Sequence, residues 1–159
     1  MVIAHCSSMA DHGRMAPPLS SDAITAGFVP SGPSLDLERL TFLTEICAGS
    51  GSPATIEGLV DAFVEDGHLR VVKMERSLRA RDLGTLAELA HELKGSSDTI
   101  GAVALADAAG HVQRQARVAL GQSAVETSDV EDVRWLLGVT TTEFRRAETA
   151  LRAAVPARR

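Results

Sequence analysis

The sequence predicts an all-α protein: an antiparallel four-helix bundle with an additional short N-terminal helix packed at one end. Three observations lead there. Aromatic residues make up 3% of the chain and tyrosine is absent, while alanine and leucine dominate, the reverse of what strands favour. Apolar residues recur at steps of three and four in successive stretches, the spacing of a buried helical face. The four longest stretches are joined by short connections, which make neighbouring helices antiparallel.

Residues 1–34 contain four of the six prolines, with Gly13, Gly27, Gly32 and several serines, and lack helical periodicity. They read as a flexible N-terminal leader with a short ordered piece at 22–29. His5, Cys6 and His12 in this leader read as tail residues, because no second ligand pair at zinc spacing accompanies them.

The folded domain is expected at 35–155. Leu35, Leu37, Leu40, Leu43 and Ile46 form a first helix from about 35 to 48, stopped by Gly49-Ser50-Gly51. Ser52 then serves as N-cap and Pro53 as first helical residue of a long helix to about residue 80. Its inward positions are Ile56, Val60, Phe63, Gly67, Val71, Met74 and Leu78, and His68 on it reads as a surface histidine. Asp82 caps a third helix, about 83–99, whose apolar arc holds Leu83, Leu86, Leu89, Ala90, Leu93, Ser97 and Ile100. A fourth helix, about 102–120, turns Leu105, Ala109, Val112 and Ala116 inward. After a polar loop, Ser128 to Glu131 has the form of a capping box. It opens a fifth helix carrying Val130, Val133, Leu137, Thr141, Phe144, Ala147, Leu151 and Ala154. Pro156 ends that helix, and 156–159 is a solvated tail.

The third helix carries the chemistry. His91 falls outside its apolar arc, with Lys94 beside it at i+3, Gly95 one turn on and Asp98 two turns on. A glycine inside a helix costs ~1 kcal/mol against alanine. A bare patch of backbone beside the imidazole gives a reason to bear that cost, since another protein could then approach the ring closely.

The run His91-x-Leu93-Lys94-Gly95-Ser96-Ser97-x-x-Ile100-Gly101-Ala102 resembles the phosphoacceptor motif of histidine phosphotransfer (HPt) domains of two-component signalling. The resemblance extends from about Leu35 to Val155. It implies a four-helix bundle and a phosphocarrier rather than an enzyme with its own active site. It makes His91 the phosphoacceptor, which takes a phosphoryl group from the aspartate of one receiver domain and passes it to another. Lys94 resembles the lysine that steadies the phosphoryl oxygens, and Gly95 gives the receiver access. On the fourth helix, Gln113 matches the place of a residue that orients the imidazole, and Arg117 that of a basic residue on the rim. Ala87 and parts of the second helix would add apolar docking area. The implied partners are response-regulator receiver domains and a hybrid sensor histidine kinase. The chain needs no cofactor of its own, Mg²⁺ being supplied by the receiver, and is expected to be a monomer.

Other residues near the motif read more plainly. Ser97 lies in the apolar arc and suits tight packing, Ser96 faces away from His91, and His111 points elsewhere on the helical wheel. Asp98 departs from a purely positive setting: two turns from His91, it is placed either to act on the imidazole through its charge or to meet Lys94 in a surface pair of small value.

Composition narrows the partners. Net charge is −5 and the pI about 5.5, which suggests neither a nucleic-acid nor an anionic-membrane partner. No apolar run approaches the ~20 residues that span a bilayer, and no signal-peptide core is present. Cys6 and Cys47 make no disulfide framework, so the expected location is the cytoplasm.

Rival readings are weaker. His91-Glu92-Leu93 resembles the H-box of histidine kinase dimerisation domains, but Gly95-Ser96 departs from it and no ATP-binding domain follows. A zinc-hydrolase His-Glu-x-x-His would need histidine where Gly95 stands. A phosphate-independent docking module, or the HPt portion of a hybrid kinase, remains the alternative to a free-standing shuttle.

Overall fold

The computed structural model describes residues 28–49, 55–122 and 124–155. Among them five helices follow in order: α1 (Leu37–Gly49), α2 (Ile56–Arg79), α3 (Leu83–Ile100), α4 (Val103–Leu120) and α5 (Thr127–Ala154). Helices α2 to α5 form the bundle. Each packs on the next, α5 closes back onto α2, and α1 lies against α2 and α3.

The core is the one that the helical spacing foretells. All seven inward positions of α2 are buried, as are Leu105, Ala109, Val112 and Ala116 of α4. At Gly67 a Cβ would lie 2.3 Å from the Phe144 ring, so glycine is what lets α2 and α5 approach there. The turn between α3 and α4 is Gly101, at φ 86°, followed by Ala102. This left-handed C-cap lets two helices of 18 residues each run back along one another.

Several expectations are corrected. Thr55 caps α2, its Oγ1 accepting from the Gly58 N–H at 3.1 Å, so the helix starts later than Ser52-Pro53, which lie outside the described residues. The capping box of α5 sits two residues upstream of Ser128: Glu126 is the N-cap, and Asp129 accepts from the Glu126 N–H at 2.9 Å. Glu126 stands where the motif ordinarily has a hydroxyl, and Asp129 where it has a longer Glu or Gln. Along α5, Leu136, Thr140 and Glu143 are buried instead of Thr141 and Ala154, because α5 is covered by both α2 and α4. In α1 only Leu40 is buried, and Leu37 and Ile46 are exposed, since a helix laid across the end of a bundle touches it along a narrow stripe. Leu89 of α3 is half-buried, and Ala87 takes its place in the core.

Residues 28–34, assigned to the leader by their composition, are tied to the bundle. Phe28 packs on His111 with ring centroids 4.2 Å apart. The Ser31 N–H donates to Asp107 Oδ2 at 2.8 Å, and the Ala104 N–H donates to the Pro33 carbonyl at 3.2 Å. The Asp36 N–H donates to the Gly101 carbonyl at 2.7 Å. This strap holds the α3–α4 turn and the first half of α4. Residues 1–27, with His5, Cys6, His12 and most of the ordered piece expected at 22–29, lie outside the described residues, as do residues 156–159.

Candidate functional site

The antiparallel register of α3 and α4 builds the site. It sets Gln113 opposite His91 and Gly110 opposite Lys94. His91 is exposed, while the residues beneath it, Ala87, Ala90 and Leu93, are buried. The imidazole therefore stands on a rigid apolar base.

Gln113 is 9% exposed and needs partners for its amide. Its oxygen accepts from His91 Nδ1 at 3.2 Å and from Arg117 Nη1 and Nη2 at 3.2 and 3.1 Å. The amide is oriented that way because the opposite orientation would turn its NH₂ onto three donors. For the neutral His91 ring, one acceptor thus selects the tautomer with its proton on Nδ1 and its lone pair on Nε2. The same acceptor holds the Arg117 guanidinium, itself exposed, at the edge of the site.

Lys94 is half-exposed. Its Nζ meets Asp98 Oδ2 at 2.6 Å, so of the two roles open to Asp98 the surface pair is the one formed. A Cβ at Gly110 would stand 3.5 and 3.6 Å from Lys94 Cδ and Cε, and 3.3 Å from Arg114 Nη1. The absent side chain there gives room for the lysine stem across α4. Gly95 is open: a Cβ on it would meet nothing within 4 Å.

A match to the family model described as Hpt domain spans residues 58–154, more than half of the chain. The chain belongs to the Hpt domain family. A solved structure adds to this: histidine-containing phosphotransfer protein B (HptB) from Pseudomonas aeruginosa PAO1 is similar at a TM-score of 0.64 and 26% identity. The likeness covers 77% of this chain and 95% of that one. No curated protein matches the chain.

The matched residues of the Hpt domain run from the third residue of α2 to the end of α5 and hold every site residue, while α1 and the strap lie outside the match. Of the five residues singled out by sequence, His91, Gln113 and Arg117 form one hydrogen-bonded group, Lys94 stands one turn further on, and Gly95 supplies the gap. Ala87 is not docking surface, because it is 3% exposed and belongs to the core. Ser97 is buried and donates to the Leu93 carbonyl at 2.7 Å, a packing role.

Three residues escaped the sequence reading. Arg70 of α2 reaches the far side of the His91 turn, with Nε 3.2 Å from Glu92 Oε2 and Nη1 3.4 Å from the Ser96 hydroxyl. Gly110 and Arg114 lie beneath and beside the Lys94 stem. Pairing His91 with Gln113 in an antiparallel register already places 110 across from 94, so Gly110 had a signal. Arg70 had none, because its reach depends on how α2 packs. His111, expected to point away from the site, is 8% exposed beneath Phe28, 3.5 Å from Asp107. Burial pushes its imidazole below the usual histidine range; Arg114 adds to that and Asp107 opposes it.

Proposed function

We propose that this Hpt domain carries phosphoryl groups between receiver domains of a two-component phosphorelay, on His91 Nε2. The observation that carries this reading is the hydrogen bond from His91 Nδ1 to the Gln113 oxygen on an otherwise exposed ring. A neutral imidazole so held presents one lone pair to an incoming phosphoryl group and needs no dedicated base.

In the transfer, the Nε2 lone pair attacks phosphorus in line while the P–O bond to the receiver aspartate breaks. The aspartate leaves as a carboxylate. The Nδ1 proton stays in place, so the ring gains positive charge as the bond forms, and the Gln113 oxygen stabilises that charge where it develops. Lys94 and Arg117 are the cations nearest to hand for the phosphoryl oxygens. The receiver would bring the Mg²⁺ and its own lysine. Transfer to a second receiver reverses these steps. The chain supplies a nucleophile and a shaped surface and turns over no substrate of its own, which makes it a carrier and not an enzyme.

Gly95 gives the receiver room to reach the ring. Among the described residues no helix is long and apolar enough to cross a membrane. A monomer in the cytoplasm, fed by a hybrid sensor kinase, is the setting in which such a carrier works.

The test is transfer of label from a phosphorylated receiver domain to the chain and to its His91→Gln variant. Acid-labile, alkali-stable label on the wild type and none on the variant is the expected result. A folded wild type that takes no label from any of a panel of receivers overturns the proposal and leaves a docking module.

A further inference from the structure

Asp98 breaks a local rule. It lies in the last turn of α3, at the negative end of the helix dipole, where cations and not carboxylates are stabilised. No basic residue offsets it within that turn. Arg39 of α1 comes close, but its Nη1 donates to the Asp98 backbone carbonyl. Among the described residues the ion-pair partner of the Asp98 carboxylate is Lys94, at 2.6 Å.

The direction of that pair matters. A lysine on a helix ordinarily extends back towards the N-terminal end, which here is the side of His91. Asp98 lies one turn the other way. The stem of Lys94 runs over the open face of Gly110, and the ammonium ends on Asp98. The Lys94 ammonium, one turn from His91, is thus held by a competing anion when the imidazole is bare.

We infer that Asp98 is a positioning residue that draws the Lys94 ammonium away from His91 and so weakens the hold of this carrier on its phosphoryl group. The inference rests on His91 being the phosphoacceptor and deepens that reading into one about how the site is tuned. Both side chains are about half exposed, at 41% and 46%, so the pair is a weak one that a phosphoryl dianion can outcompete. Its consequence is a shallower well for the phosphoryl group on His91, which favours passing it on over storing it.

The experiment uses the full chain and one receiver domain charged with acetyl phosphate. It reads the equilibrium partition of phosphoryl between receiver and His91 for the wild type, Asp98→Asn, Lys94→Ala and the double variant. Asp98→Asn should move the partition towards His91 by about two- to fivefold, the span of an exposed ion pair. In the Lys94→Ala background the same substitution should move it hardly at all, and in the wild type the ¹⁵N resonance of the Lys94 ammonium should shift on phosphorylation. An unchanged partition in Asp98→Asn, a shift towards the receiver, or an equal shift without Lys94 overturns the inference while leaving the carrier role intact. A wild type that takes no phosphoryl group overturns both.

Discussion

His91 and His111 stand on neighbouring helices, and each ring is held by its surroundings. His91 is exposed over a base of buried Ala87, Ala90 and Leu93, with Nδ1 on the Gln113 oxygen. His111 is buried beneath Phe28, with Asp107 on its own helix and Arg114 adjoining. One ring has a free nitrogen facing solvent; the other has its charged form disfavoured by burial. The comparison teaches that a chemical role for histidine here needs both a fixed tautomer and an open side. His111 belongs instead to the joint that fastens the strap, and so α1, to α4.

The largest expected effect separates the two on stability. His111→Ala should cost about 1–3 kcal/mol, as truncation of a buried, packed side chain does, whereas the exposed His91→Ala should stay within ~0.5 kcal/mol. Urea denaturation measures both, and a larger loss for His91 would break the contrast. Next is the open side. Gly95→Leu should fold at least as stably as the wild type, because its Cβ meets nothing within 4 Å and glycine is the poorer helix former. Its phosphoryl uptake from a receiver should still slow by about tenfold or more, the effect of overfilling a close contact by ~1–3 kcal/mol. Wild-type uptake rates would show that no partner approaches at Gly95.

Gln113→Ala tests the fixed tautomer. Loss of one acceptor that serves His91 and Arg117 should slow transfer by roughly tenfold, about 1–1.5 kcal/mol. Rapid-quench kinetics would read it, and Gln113→Glu should retain the acceptor and most of the rate. The smallest effect concerns pH. The folded state holds His111 below its ordinary value of 6.5, so the unfolded chain binds the extra proton first. Stability is therefore full above about pH 6.5 and falls as acid takes the solution through the lower folded value. Melting curves between pH 7 and 5 should show that decline, and His111→Gln should flatten it.

How much of this was legible in the sequence follows from the range of each interaction. Helices α2 to α4 were legible because their buried stripes are local patterns, down to Gly67 and Ser97 as inward positions. The group of His91, Gln113 and Arg117 was legible because one tight turn at Gly101 fixes the register of α3 on α4. The strap was not, since Phe28 meets His111 and Ser31 meets Asp107 across more than seventy residues with no periodicity to announce it. Arg70 was hidden for the same reason. Ala87 was misread because its place on the wheel borders the apolar arc, and only the packing of the neighbouring helices decides which side of that border is buried.

The central claim is that Gln113 holds His91 Nδ1 and leaves Nε2 as the nucleophile. Phosphorus-to-nitrogen coupling in the NMR spectrum of the ¹⁵N-labelled, phosphorylated protein tests it most directly. The account predicts phosphorus bonded to Nε2 of His91, a proton retained on Nδ1, and unchanged His111 signals. Phosphorus on Nδ1 of His91, or on any other residue, would contradict it.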